Sequence, residues 1–253
     1  MARDHKSLSL IIPAYNEEAY IGFCLDSVLQ NAFGRFHEII VVDNASSDRT
    51  GEIARTRRGV RVVQEMQRGV CFARQRGLEE ATGEILAYID ADTRLPADWA
   101  LIAERTFQNR PDLVCLSGPY RYYDGPKAKR WVLNWFSRWA VPMGHWLFGY
   151  MVVGGNFIAT KRAIKEAGGF DTTINFFGDD LDLARRLHRV GPMAYRSDFF
   201  VWSSGRRFYA DGLFKASLLY LMNSLWVVFF RKPFSTSHRD VRTSFPGDAE
   251  TNA

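Results

Sequence analysis

The chain lacks a run of apolar residues long enough to cross a bilayer. Its most apolar segment, residues 216–230, is broken by Ser217, Asn223 and Ser224 and falls short of the ~20 residues a spanning helix needs. Cysteine is scarce. Cys24, Cys71 and Cys115 are odd in number, far apart and in no metal-ligand spacing, which excludes a disulfide scaffold and a zinc cluster and suits buried thiols in a reducing compartment. The first strand is not followed by Gly-x-Gly-x-x-Gly, so the dinucleotide fingerprint is missing. No signal-peptide core precedes the fold, because Leu8–Ile12 is too short and runs into Pro13; the expectation is a cytoplasmic protein. Repeats and low-complexity tracts are absent. A net charge of +5 over 253 residues does not call for nucleic acid, and none is expected as a partner; it suits a phosphorylated substrate or an anionic membrane face. Asn44-Ala45-Ser46 fits a glycosylation sequon, but a match this short is read as chance.

What is present is an alternation of short apolar runs with helical patterns. Residues 8–12, 38–42, 60–63, 84–89 and 113–116 read as strands. Between them lie helices over 17–30, from a Ser47 or Asp48 cap through Ile53, over 69–81 and over 96–107. Repeated β-α-β predicts a mostly parallel sheet with helices on both faces. Ligands of such sheets bind beyond the carboxyl ends of the strands. Those ends carry Tyr15-Asn16-Glu17, Asp43 and Asp90-Ala91-Asp92. Further on, 154–159 reads as a strand, 161–167 as a short helix, a helix opens at Gly178-Asp179-Asp180 and stops at Gly191-Pro192, 199–202 reads as a strand, and a last helix covers 211–230.

Asp90 and Asp92 follow a buried strand. In an extended chain, positions i and i+2 leave the same face, and two like charges held side by side need a cation between them. A hard divalent ion with oxygen ligands answers that need. The competing reading is that one of them merely caps the helix announced by Pro96.

Pro13-Ala14-Tyr15-Asn16-Glu17, Val41-Val42-Asp43-Asn44-Ala45-Ser46-Ser47-Asp48, Asp90-Ala91-Asp92 and Gly178-Asp179-Asp180-Leu181-Asp182, in this order and on these elements, closely resemble glycosyltransferase family 2. The resemblance covers residues 8–207. It implies an α/β GT-A fold, a Rossmann-like nucleotide-sugar-binding sheet with helices on both faces, here with a helical C-terminal extension, and an inverting transfer from a nucleotide sugar. By resemblance, Pro13, Tyr15 and Glu17 line the nucleoside pocket and Asp43 hydrogen-bonds the base, commonly uracil, so a UDP-sugar is favoured. Arg68 and Arg74, at a Gly-rich helix start, face base or phosphate, as an anion-attracting helix N-terminus permits; the family often has Asn where Gln75 stands. Asp90 and Asp92 hold Mg²⁺ or Mn²⁺. Asp180 is the general base, with Asp179 in place of the usual Glu, so the assignment between the two rests on position; helix capping is the alternative for both. Gly154-Gly155-Asn156 forms the turn beside the donor sugar, and Arg206 or Arg207 reaches the diphosphate. The third metal ligand that some relatives supply is not evident, and His145 and His188 read as structural.

Trp131, Trp135 and Trp139 form one helical stripe beside Lys127, Lys129, Arg130 and Arg138. Such a stripe suits a membrane interface or, equally, core packing or an acceptor groove. The 216–230 segment, with Lys215 before it and Arg231-Lys232 after, carries the same two readings. The organisation expected is a donor-binding half over 1–120, an acceptor-binding and catalytic half of the same domain over 121–210, and a C-terminal helix and tail over 211–253. The setting implied is polysaccharide or glycolipid assembly on a glycan or lipid-linked acceptor, on the cytoplasmic side of a membrane. Two rivals stand beside it. A sugar-phosphate nucleotidyltransferase would show a Gly-rich basic loop after the first strand, and Pro13-Ala14-Tyr15-Asn16-Glu17 has none. A catalytically silent nucleotide-sugar-binding scaffold would not need Asp90, Asp92 and Asp180 together.

Overall fold

The computed structural model describes residues 7–32, 34–174 and 178–212, with Leu219, Met222, Asn223 and Trp226 beyond them. The last predicted helix, 211–230, lies largely outside the described residues.

Strands β1 (Leu8–Ala14), β2 (Glu38–Asp43), β3 (Val60–Gln64) and β4 (Ile85–Ile89) form the parallel part of a seven-stranded sheet. Helices α1 (Ile21–Ala32), α2 (Thr50–Arg55) and α3 (Val70–Glu80) connect them, and α4 (Trp99–Asn109) follows β4. Beyond α4 come β5 (Cys115–Ser117), β6 (Tyr120–Tyr122), the long α5 (Lys127–Phe148), β7 (Asn156–Thr160), α6 (Lys161–Glu166), α7 (Asp179–Val190), β8 (Met193–Tyr195), β9 (Val201–Ser203) and α8 (Arg206–Asp211). The sheet order is β3-β2-β1-β4-β7-β5-β8, and β6 pairs with β9 separately. Only β7 runs antiparallel to its neighbours.

The pleat divides the core in two. Leu10, Ile12, Val41, Ala87, Ile89 and Ile158 face α1 and α4, where Leu25, Val28, Trp99 and Phe107 meet them. Ile11, Ile40, Val42, Leu86, Tyr88 and Phe157 face the opposite layer, with Leu78, Ile164, Leu183 and Leu187. Strands buried on both faces read as continuous apolar runs, and all five residues of β4 are buried. The three cysteines are free and buried.

Several sequence expectations shift. The first helix begins at Ile21 rather than Glu17, because Thr50 Oγ1 takes the Glu17 N–H and Asp48 Oδ2 the Glu18 N–H, which holds 15–20 as a turn. Asp48 is therefore a loop tie that also accepts from Thr50 N; the residue preceding α2 is Arg49, with no side-chain cap. The helix expected from Pro96 starts at Trp99. Strands β6 and β8 are too short to show a period, and β9 lies two residues later than expected. Arg206 and Arg207 open the short helix α8.

Two features place the functional edge. Strand order reverses beside β1, with β2 on one side and β4 on the other, which opens a crevice at the carboxyl ends. Because β7 is antiparallel, its beginning lies at that same edge; Ile89 pairs with Asn156, so Gly155 stands beside Asp90. Asn156 is fully buried. It accepts from Trp99 Nε1 at 3.0 Å and donates to the Phe199 carbonyl at 2.8 Å, tying α4, β7 and the approach to β9. Asn156→Leu strands these partners in the core, at about 1–3 kcal/mol for each unsatisfied group. The expected outcome is a Tm lower by roughly 5–10 °C, measured by scanning calorimetry; an unchanged Tm would show that the tie is dispensable.

Candidate active site

A cleft of about 650 Å³ opens at this edge. Its walls come from the end of β1 (Pro13, Ala14, Tyr15), Glu17, Asn44 after β2, Arg68 and Gly69 before α3, Asp90 to Asp92 after β4, the Gly154-Gly155 turn, Asp179 and Asp180 at the start of α7, and Arg206 and Arg207 of α8. The loops after β1 and β2 hold each other in uncommon conformations. Among the described residues Asn16 (φ 51°) and Ala45 (φ 57°) are the non-glycine ones with positive φ, and Asn16 Oδ1 accepts from the Ser47 N–H at 2.8 Å while the Asn16 N–H donates to Ser46 Oγ.

Five carboxylates meet in this cleft, and two arginines, Arg74 buried and Arg206 half-buried, lie between them. Arg74, on α3, ion-pairs with Asp179, lies 3.7 Å from Asp90, and donates to the Gly154 carbonyl at 2.9 Å. Arg206 bridges Glu17 at 2.5 Å and Asp92 at 3.2 Å while its guanidinium covers the Tyr20 ring at 4.4 Å. Among the described residues Asp180 forms no ion pair: its Oδ1 accepts the Leu181 N–H at 2.8 Å. Burial, followed by the charge of Asp179, pushes its pKa up to about 7. Burial also raises Asp179, against the pull of Arg74. Asp92 rises to about 7, through burial first; Arg206 opposes this, and Glu17 and Asp90 add to it.

Asp90 and Asp92 converge for a different reason from strand alternation. β4 ends at Ile89, and Thr93 N–H closes a turn on the Asp90 carbonyl, so a turn carries both carboxylates to the cleft. Asp90 Oδ2 accepts from Tyr120 Oη at 2.9 Å, and Tyr120 Oη accepts the Gly155 N–H at 2.8 Å. A Cβ on Gly155 would come within 2.0 Å of Asp90 Oδ2, so only glycine permits this approach. Two carboxylates, one of them destabilised by its own burial and by neighbouring acids, are a hard-oxygen donor set that fits a divalent cation. Among the described residues no group of three His, Cys, Asp or Glu side chains is placed to hold a metal.

The predicted residues Pro13, Tyr15, Glu17, Arg68, Arg74, Asp90, Asp92, Gly155, Asp179, Asp180, Arg206 and Arg207 all line the cleft. Asp43 does not. Its carboxylate accepts from Ser46 N–H and from Gln64 Nε2 at 2.9 Å, and Asn44 stands on the wall instead. Asn44 is itself tied through Nδ2 to the Glu65 and Gln67 carbonyls. Arg74, which lines the cleft, also forms a strut between α3, β4 and α7. Capping does not explain the α7 acids. Gly178, at φ 87°, is the N-cap and makes no side-chain bond, and Asp182 pairs with Arg185 and Arg186 along the helix. Gln75 Oε1 takes the Phe170 N–H, Arg76 pairs with Glu80, and His188 packs on Tyr150. Tyr120 was missed; its only sequence signal is a tyrosine just past Gly118-Pro119 at the end of a strand.

This sheet, with its switch-point cleft and its gathered carboxylates and arginines, is the arrangement of GT-A glycosyltransferases. Its likeness to the mannosyltransferase PcManGT from Pyrobaculum calidifontis, determined in complex with GDP-Man and Mn²⁺, has a TM-score of 0.64 at 23% identity, over 88% of this chain and 63% of that one. Glucosyl-3-phosphoglycerate synthase from Mycobacterium tuberculosis, in complex with Mn²⁺, UDP-glucose and phosphoglyceric acid, gives 0.62 at 21% identity, over 87% and 79%. The model of glycosyl transferase family 2 matches residues 9–168, and the chain belongs to that family. It is 26% identical over 196 residues to the glucosyl-dolichyl phosphate glucuronosyltransferase of Haloferax volcanii, 68% of this chain and 58% of that protein. It is 31% identical over 128 residues to the dolichol-phosphate mannosyltransferase of Pyrococcus furiosus, 49% and 36%. The chain spans between 14% and 58% of the length of these and other curated relatives that it matches.

The elevated Asp180 pKa has a stability consequence. Below the unfolded value of 3.8 both states are protonated and nothing is lost. As pH rises from there to about 7 the unfolded state ionises first, so the native state loses stability across that window. Asp180→Asn removes the loss. In metal-free buffer the variant should melt a few degrees above wild type at pH 8 and close to it near pH 4.5; equal Tm values at pH 8 would show that Asp180 carries no such strain.

Proposed function

We propose that the chain is an inverting glycosyltransferase that moves a sugar from a nucleoside diphosphate sugar to an acceptor hydroxyl, in polysaccharide or glycolipid assembly. The observation that carries this is the division of labour between the two α7 acids. Asp179 is locked to Arg74, whereas Asp180 lines the cleft with a pKa near neutrality, as a general base requires. In this reading Asp180 takes the acceptor proton as the acceptor oxygen bonds to the anomeric carbon and the bond from that carbon to the diphosphate breaks. Arg206, Arg207 and Arg68 face the departing nucleoside diphosphate. Tyr15, under the Arg68 guanidinium at 4.2 Å, and Pro13 wall the nucleoside. Asp90 and Asp92 would hold Mg²⁺ or Mn²⁺, which supplies charge neutralisation to the leaving diphosphate. Tyr120 and Gly155 orient Asp90. The donor is assigned to the half over 1–120 and the acceptor to that over 121–210.

A UDP-sugar is the donor to test first, on the family resemblance. The choice of uracil rested on Asp43, which is turned from the cleft, so GDP-sugars belong in the same panel. A peripheral position on the cytoplasmic face of a membrane is supported by the exposed tryptophans of α5 beside basic residues; among the described residues no helix is long and apolar enough to cross a membrane.

Two measurements test the proposal. A thermal-shift panel of nucleotide sugars with Mn²⁺ should stabilise the protein by about 2.7 kcal/mol at 100 times the dissociation constant of the right donor. EDTA, or Asp92→Asn, should abolish the metal-dependent part of that shift; full activity in excess EDTA would exclude the metal. Asp180→Asn should lower kcat by about 10²–10⁴-fold with donor binding unchanged, and wild-type kcat/KM should fall as pH drops below about 7, where Asp180 protonates. A larger kcat loss in Asp179→Asn at equal stability would reassign the base.

A further inference from the structure

Arg206 stands at a demanding point of the cleft. Its guanidinium meets Glu17 at 2.5 Å and Asp92 at 3.2 Å and covers the Tyr20 ring. Its Nη1 is nonetheless buried with no hydrogen-bond partner among the described residues, which opposes its placement there. The helix that carries it, α8, has six residues. A helix so short does not hold its own start, so the position of Arg206 depends on what grips the chain just before it.

That grip comes from Asp124. Strands β6 and β9 run parallel, with Tyr122 opposite Ser203, so the residues that follow them leave the small sheet at the same end. Asp124 Oδ1 accepts the Gly205 N–H at 2.7 Å, and Oδ2 accepts from Ser204 Oγ. Ser204 Oγ in turn accepts the Arg206 N–H at 3.2 Å. One carboxylate therefore holds both residues that precede Arg206.

A second hold lies one turn along α8. Arg206 and Tyr209, three residues apart, are neighbours on the helix surface, and Tyr209 Oη donates to the Asp124 carbonyl at 3.0 Å. Two glycines make room for the Tyr209 ring. A Cβ on Gly125, where φ is 79°, would overlap the ring, and one on Gly205 would come within 2.8 Å of it. Phe208 packs edge-on against Tyr122 at 5.6 Å. Asp124 is not among the residues that line the cleft. Its carboxylate is spent on an N–H and a hydroxyl, and among the described residues it forms no ion pair.

We propose that Asp124 is a positioning residue: by clamping Ser204 and Gly205 it sets Arg206 against Glu17 and Asp92, where the guanidinium meets the diphosphate of the donor. This rests on the reading of the cleft as a nucleotide-sugar site. The role is one of geometry rather than charge. Asparagine at 124 has the same shape, can accept the Gly205 N–H through Oδ1 and can donate to Ser204 Oγ through Nδ2, so it should serve nearly as well.

Isothermal titration of the full chain with UDP and with GDP, each with Mn²⁺, tests this. Asp124→Ala should weaken the nucleoside diphosphate that binds by about ten-fold, and Arg206→Gln by about as much. The losses should not add. In the Arg206→Gln background Asp124→Ala should cost less than about two-fold, because the group it positions is gone. Asp124→Asn should stay within about two-fold of wild type. Tyr209→Phe keeps the ring and removes only its hydrogen bond; it should lose about three-fold, and it keeps the test valid if Asp124→Ala folds poorly. Undiminished binding in both Asp124→Ala and Tyr209→Phe would overturn the proposal. Additive losses in the double variant would also overturn it and assign Asp124 to the fold alone. So would a loss in Asp124→Asn equal to that in Asp124→Ala, which would assign the effect to its charge. A wild type that binds neither nucleotide counts against the transferase reading and takes this inference with it, whereas wild-type binding with indifferent variants counts against Asp124 alone.

Discussion

Glu17, Asp90, Asp92, Asp179 and Asp180 repel one another in a partly dry cleft, and the two arginines set among them make that gathering tolerable. At an effective dielectric of about 20, unit charges 4 Å apart interact by roughly 4 kcal/mol, which is comparable to a large part of the stability of a domain. Arg74 reaches Asp179, Asp90 and the Gly154 carbonyl from α3. Arg206 reaches Glu17 and Asp92 from α8. Each arginine therefore fastens a pair of elements remote in sequence, and each fastening lies at the carboxyl edge of the sheet. The neutralisation is incomplete at Asp180 and Asp92, whose pKa values stay near 7. Both sit where a proton or a cation is to be received.

The fold serves this edge through one antiparallel strand. A wholly parallel sheet would place the start of β7 at the opposite edge. Running it antiparallel, between β4 and β5, brings the Gly154-Gly155 turn against Asp90. The Asn156 tie then holds the turn to α4 and to the chain entering β9, and Tyr120 bridges from Gly155 to Asp90.

Much of this was legible in the residues. Continuous apolar runs such as Ile85–Ile89 announced strands buried on both faces, and the 3.6-residue spacing of Ile21, Cys24, Leu25 and Val28 announced α1. Motifs at three strand ends announced the cleft, since strand ends of one β-α-β sheet must share an edge. The failures have local causes. Strands β6 and β8 are three residues each, too short for a period to register. The start of α1 was misjudged because Thr50 and Asp48, some thirty residues away, hold the preceding turn. A carboxylate at a strand end such as Asp43 reads the same whether it faces a ligand or, as its hydrogen bonds show, its neighbours Ser46 and Gln64.

The sequence alone determined the class of fold, the family and the charged side chains that line the cleft, because periodicity, strand ends and motif order are properties of neighbouring residues. Only the tertiary structure decided how those side chains divide their work. That Arg74 braces Asp179 while Asp180 forms no ion pair among the described residues, and that Tyr120 orients Asp90, depend on residues 105 and 30 positions apart. Contacts at that range are set by strand order, by the direction of β7 and by competition among charges for partners, none of which a local pattern encodes.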